Sequence, residues 1–367
     1  MIISKRPVFA LVATLVCFSS LELAAFAGNL PNSQIRSGSA SPVSVSGSVS
    51  QKISGPFTSS NLSVFLIHGK DNSKFQKFLT LQEALSKGQV VVKETGNVNQ
   101  LAIQNNGPVA VFVQSGDIVK GGRQDRTMQY DMILPPKSGL VPINSFCVEH
   151  GRWSKRGAED ATAFKDSNYQ LANKSLKMAA KYSGDQQQVW DSVAKFSSAG
   201  FEKAHVSRAQ ALASPSPSSL QIALENDKVQ ASSKKYVKDL EKLVDGKSDV
   251  VGYAFAINGK INSVDVYANN ALFKKMWPKL INSSATEALT ESEVGKKFAI
   301  PKPEAVQECI RDADKAQKQV KATSGKSRMM MQETSKTVLF ETQDLPPSVS
   351  AKSNGLDMWV HRNYMTK

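Results

Sequence analysis

The sequence predicts an α+β fold: a mostly antiparallel β-sheet or sandwich in the N-terminal half, with packed helices and a later β-hairpin. Three observations carry this expectation. Between Asn61 and Val148, short apolar runs alternate with Gly, Asn, Asp and Pro turn signals, the pattern of successive antiparallel strands. Beyond Trp153 the apolar spacing lengthens to that of helices. Further on, Asn258-Gly259 separates VVGYAFAI from INSVDVYA, and Asn-Gly fits the tight turn that strand twist favours. A chain of 367 residues with 41% hydrophobic content can fill a real core.

Residues 1–27 read as a secretory signal peptide. Lys5 and Arg6 precede the apolar run Pro7 to Ser20, and Ala25 and Ala27 supply the small residues of a cleavage site. The run is too short to span a bilayer, and Val16 before Cys17 argues against a lipid anchor. The protein is therefore expected to be secreted or periplasmic, with no transmembrane segment after cleavage. Residues 28–58 are rich in Ser, Gly and Pro and read as a flexible arm. Residues 59–367 are expected to form one domain, in which hairpin and tail strands extend a sheet.

Within that domain LSVFLIHG is a strand. Leu79 to Leu85 reads as a short helix capped by Thr80, with Glu83 at the capping-box position and Gly88 as the stop. QVVVKET, LAIQNN and VAVFVQ follow as strands. IVKGGRQDRTMQYDMIL reads as one loose strand bulged at Gly121-Gly122, and LVPINSFCV as the next. Lys165 to Phe201 has helical spacing interrupted at Ser183-Gly184, and SPSPSS is a linker or exposed loop. A helix runs from about Leu220 to Val244. Another covers ALFKKMWPKLINSSATEALT, kinked or restarted at Pro278, and a third lies near Val306 to Val320. KTVLFET and LDMWVHRNY close the chain as strands.

Cleavage would remove two cations and one anion, so the net charge of +14 becomes +13. Such a basic chain suits an anionic small molecule or an acidic envelope polymer; nucleic acid is compatible with the charge but has no supporting motif. The bland alternative is a solvated basic surface, because the lysines are spread through helices. Cys147 and Cys309 remain in an exporting context, where they either form a disulfide or stay as buried thiols.

The chemistry-bearing residues concentrate between Ser115 and Trp153. Arg123, Arg126 and Arg152 can grip a phosphate or carboxylate, with Lys120, Gln124 and Trp153 nearby and Gly122 opening the backbone to the same anion. Equally, Arg126 and Arg152 could pair with Asp125 and Glu149 as a structural network. Glu149 or Asp117 could serve as a general base. Cys147, Glu149 and His150 invite a nucleophile reading, but a strand sends Cys147 and His150 to opposite faces. Asp117, Asp125 and Glu149 could converge on a divalent cation, although no histidines stand at ligand spacing; neither a metal nor another cofactor is expected. There is no P-loop.

Four blocks, LTLQEALSKGQVVVKE, SGDIVKGGRQDR, CVEHGRW and VVGYAFAINGKINSVDVYANNALFKKMWPKL, resemble in order the ARG-and-Rhodanese-Phosphatase-superfamily-associated protein domain family, from about Asn61 to Glu287. The matching positions are Asp117, Gly122, Arg123, Gln124, Asp125 and Arg126, then Cys147, Val148, Glu149, Gly151, Arg152 and Trp153. The family has no settled activity, and the resemblance implies only a link to nucleotide or ADP-ribose chemistry. The expectation is an exported protein binding a phosphorylated or nucleotide-like anion. A hydrolase of such a compound is the first alternative, and a structural or adhesive envelope protein the second, so whether the chain is an enzyme stays open.

Overall fold

A computed structural model describes residues 52–71, 77–324, 326–345 and 359–367, without the side chains of residues 168, 169, 323 and 324. The signal peptide and most of the arm lie outside the described residues. The chain begins with an antiparallel pair, β1 (Lys52–Ser59) and β2 (Leu62–His68). The arm therefore ends earlier than its composition suggests. Its last residues, 52–58, gain backbone partners from β2, a non-local reward that Ser/Gly content does not report.

The chain continues with β3 (Leu79–Thr80), α1 (Leu81–Ser86), β4 (Val90–Asn97), β5 (Gln100–Asn105) and β6 (Val111–Val113). Both bonds of the capping box form: Thr80 Oγ1 accepts the Glu83 N–H at 3.1 Å, and Glu83 Oε2 accepts the Thr80 N–H at 2.9 Å. The run read as one bulged strand is three strands, β7 (Asp117–Gly121), β8 (Arg126–Met128) and β9 (Met132–Leu134). The double glycine reverses the chain. Gly121 and Gly122 have φ of 120° and 56°, and a Cβ on Gly122 would stand 2.2 Å from the Phe164 ring.

After β10 (Gly139–Cys147) comes β11 (Phe164–Leu171), where the sequence suggested the start of a helix. FKDSNYQL is drawn into the sheet because the edge of β7 offers it partners, Phe164 opposite Gly121 and Lys165 opposite Lys120. Next are α2 (Lys174–Lys177), a π-helical turn over Met178–Ser183 and α3 (Gln186–Lys203), with the break at Gly184. Then follow α4 (Arg208–Leu212), α5 (Leu220–Glu225) and α6 (Asp227–Leu240); Asn226 caps α6 and divides the long helix expected there. The hairpin β12 (Val250–Ile257) and β13 (Lys260–Tyr267) turns at Asn258 and Gly259, both at positive φ. α7 (Asn270–Thr290) runs through Pro278 unbroken. α8 (Pro303–Asp314) ends before the expected Val320, which lies in β14 (Gln319–Ser324). β15 (Ser327–Glu333), β16 (Thr337–Asp344) and β17 (Trp359–Thr366) complete the chain.

These elements make the expected α+β fold. An eight-stranded sheet has the order β1-β2-β12-β13-β17-β16-β15-β14. A six-stranded sheet has the order β11-β7-β8-β10-β5-β4, and β3-β6-β9 form a third. Strand β2 explains the layering. Val64 and Leu66 enter a core with Phe273, Trp277 and Leu280 of α7, while Phe65 and Ile67 enter another with Val306 and Cys309 of α8. The large sheet is thus covered by helices on both faces, which is why LSVFLI is continuously buried and, apart from Ser63, apolar. The described residues fall in one compact unit, Ser50–Lys367.

A buried polar clasp ties β9 to the large sheet. His361 of β17 lies between Asp131 (Nδ1 to Oδ2, 2.7 Å) and Asp265 (Nε2 to Oδ1, 3.0 Å), and all three are about fully buried. Two carboxylates can both accept only if both ring nitrogens donate, so the ring is an imidazolium. Burial alone would lower its pKa, but Asp131 and Asp265 together raise it above 6.5. The stability this contributes is fully present below about pH 6.5, the unfolded value, and is lost as pH rises through the folded pKa. Thermal melts of His361→Gln should therefore show the largest deficit near pH 6 and a smaller one at alkaline pH; a deficit independent of pH would remove the imidazolium from this account.

Candidate functional site

The expected site forms where the turn after β7 meets the loop after β10. β8 and β10 are neighbours, with Cys147 opposite Arg126, which brings the residues around Arg126 beside those that follow Cys147. At the centre lie two carboxylates with no solvent exposure, Asp125 and Glu149. Arg152 holds Glu149 in a fork, Nε to Oε1 and Nη2 to Oε2 both at 2.6 Å. Arg156 holds Asp125 likewise, at 2.8 and 3.2 Å, and also reaches Glu159 at 2.8 Å. The remaining lone pairs are taken as well. Asp125 accepts from Ser219 Oγ at 2.7 Å and the Gly121 N–H at 3.0 Å; Glu149 accepts from Ser216 Oγ and the Asp125 N–H at 3.1 Å. SPSPSS is therefore no free linker: Ser216 and Ser219 are buried donors to the motif carboxylates.

These partners decide the electrostatics. Burial raises the Glu149 pKa, but the Arg152 and Ser216 hydrogen bonds outweigh it and leave the carboxyl below its ordinary value. Burial dominates at Asp125, which is raised despite Arg156. Glu149 is thus an ionised, saturated acceptor, a poor general base. Asp117 sits at the far end of β7, about 13 Å along the strand. It forms a buried ion pair with Lys279 of α7 at 2.6 Å and accepts the Gln114 N–H at 2.9 Å. Asp117, Asp125 and Glu149 consequently do not converge on a cation.

The other expected residues divide. Lys120 is paired with Glu225 of α5. Gln124 donates from Nε2 to the Glu149 carbonyl at 3.0 Å, holding the two loops together. Cys147 is a fully buried thiol whose Sγ lies 3.6 Å from the Val98 carbonyl; burial pushes its pKa up. The His150 ring instead packs edge-on against Trp190 at 4.5 Å, so no thiol–imidazole dyad forms. Cys309, on α8 in a different core, is also a free buried thiol, and the disulfide alternative falls because the two thiols belong to separate layers.

Arg126, Arg123 and Trp153 form a cluster of which Arg123 and Trp153 are exposed. Arg126 is completely buried; its Nη1 donates to the Gln124 carbonyl at 2.8 Å, but Nε and Nη2 have no hydrogen-bond partner among the described residues. The nearest anion is Glu94, 3.5 Å from Nη2. Trp153, 40% exposed, lies against both guanidinium groups, with its ring centre 5.5 Å from Arg123 Cζ and 5.6 Å from Arg126 Cζ. Two cations thus flank an exposed aromatic face. The sequence reading missed Glu94, Arg156, Glu159, Ser216 and Ser219; in the sequence only Arg156 stands close enough to CVEHGRW to have been suspected.

No curated protein matches the chain, and no solved structure does. The profile of the ARG and Rhodanese-Phosphatase-superfamily-associated Protein domain matches residues 50–362, a span that contains the convergent motifs, all eight α-helices described above and both large sheets except the second half of β17, and the chain therefore belongs to that family.

Proposed function

We propose that this chain is an exported protein that binds, rather than hydrolyses, a phosphorylated or nucleotide-like anion at Arg123, Arg126 and Trp153. The observation that carries the proposal is the buried guanidinium of Arg126, whose Nε and Nη2 lack a hydrogen-bond acceptor, with Glu94 as an ion-pair partner 3.5 Å from Nη2, beside a 40% exposed tryptophan. Desolvated donors without an acceptor are costly, and an anion entering beside Trp153 would supply one. Trp153 offers a face on which a base or sugar can stack, and Arg123 adds a second cation. Export rests on the basic, apolar and Ala25-x-Ala27 pattern of residues 1–27.

The hydrolase alternative is weaker because Glu149 and Asp117 are already engaged by Arg152 and Lys279. A structural envelope protein is the reading that remains if no anion binds. Calorimetric titration of the full chain with pyrophosphate, ADP and ADP-ribose tests the proposal. Arg123 and Trp153 are surface residues, so Arg123→Ala and Trp153→Ala should keep the fold and weaken binding about threefold to tenfold each. Absence of binding by all three probes, or unchanged affinity in both variants, would refute it; consumption of a bound probe would favour the hydrolase.

A further inference from the structure

A concavity whose lining includes none of Arg123, Arg126 and Trp153 lies among α3, α4 and the turn that carries His150. It is a cleft of about 570 Å³ with apolar walls from Val193, Phe201, Val206 and Leu212. That size suits a small ligand rather than a few waters, since such sites typically run to about 300–1,000 Å³. Leu212 is 59% exposed, a large apolar side chain left at the edge of the cleft.

Two polar features qualify this apolar surface. Ser197 of α3 lines the cleft and is 6% exposed, and its Oγ has no hydrogen-bond partner among the described residues. A hydroxyl screened from water and left unbonded is destabilising unless a bound molecule supplies the acceptor. At the margin the charge is positive. Arg208 has no carboxylate partner among the described residues, whereas Glu202, the one acid of the lining, is engaged by Lys203 at 3.4 Å. Lys228 adds a further cation beside α4, donating to the His205 carbonyl at 3.1 Å and to Gln210 at 3.2 Å.

We propose that this cleft binds an amphipathic carboxylate, an aliphatic acid whose apolar body carries one oxygen substituent. The chain lies against Phe201 and Leu212, the carboxylate faces Arg208, and the oxygen accepts from Ser197 Oγ. His150 and Trp190, packed edge-on, both line the cleft, so occupancy changes the surroundings of that tryptophan.

Titration of the full chain with decanoate, a hydroxydecanoate and decylamine, followed by tryptophan fluorescence and calorimetry below micelle-forming concentrations, tests this. The hydroxy acid should bind best and the amine worst. Arg208→Glu, at an exposed position, should weaken both acids about fivefold to tenfold and spare the amine. Ser197→Ala should abolish the preference for the hydroxy acid over decanoate, and Leu212→Gln should weaken all three ligands. Equal binding of acid and amine, acid affinities unchanged by Arg208→Glu, or no saturable binding of either acid would overturn the proposal. Binding should persist in Arg123→Ala, which touches only the other face.

Discussion

Replacing Lys279 by Met should destabilise the protein by about 3–5 kcal/mol in urea denaturation, because it strands the buried Asp117 carboxylate without its counter-ion. Asp117→Asn should cost a similar amount, stranding the ammonium instead. The double substitution Asp117→Asn/Lys279→Met should recover most of the loss: it removes both charges while the side-chain oxygen still accepts the Gln114 N–H. The pair joins the start of β7 to the middle of α7 across the interior, so its role is to seat the long helix on the sheet. Single variants that cost less than about 1 kcal/mol, or a double variant no better than either single, would show that the two charges are not coupled. Such a result would return Asp117 to consideration as a reactive group.

Arg156→Met should be comparably severe, about 3–5 kcal/mol at neutral pH, and its effect should depend on pH in a defined direction. Arg156 is the bidentate partner of Asp125, which has no solvent exposure. Burial already raises the folded pKa of Asp125 above 3.8, and Arg156 opposes that rise; without the arginine the pKa climbs further. In the window between the unfolded and folded values the folded protein holds a proton that the unfolded chain has released, so stability falls as pH rises. The deficit of Arg156→Met should therefore shrink on acidification toward the unfolded value of Asp125. A deficit that stays constant with pH would mean that lost packing of the arginine stem, not the stranded carboxylate, explains the instability.

The contrast between these pairs and the Arg126 face locates the functional argument. Glu149 and Asp125, the motif carboxylates, are neutralised from within the protein by Arg152 and Arg156. Arg126 keeps donors without a hydrogen-bond acceptor, and it keeps them beside an exposed aromatic ring. Half of the motif thus builds a rigid two-loop frame, and the other half is what the frame presents. The sequence could offer anion binding and an internal network only as rivals, because both use the same arginines.

Much of the architecture was legible in advance, for a local reason. The Thr80–Glu83 capping box, the Asn258-Gly259 turn and the strands β2, β10, β12, β13 and β16 depend on residues a few positions apart. The failures are equally physical. FKDSNYQL has helical spacing but becomes β11 because the edge of β7 supplies partners, and the expected single strand after Val113 breaks because Gly121 and Gly122 turn against Phe164. Lys52–Thr58 joins the sheet despite its composition.

By itself the sequence determined the α+β class and the family motifs, since periodicity and turn chemistry act over a few residues, whereas the pairing of β8 with β10 that joins SGDIVKGGRQDR to CVEHGRW is a tertiary contact. Only the tertiary structure decided which charges are spent. Ser219 meets Asp125 from 94 residues away, Lys279 meets Asp117 from 162, and His361 meets Asp131 from 230. Whether an arginine is a structural counter-ion or a ligand-seeking donor depends on such contacts, because a buried charge takes its energy and its role from the nearest opposite charge, however distant that partner is along the chain.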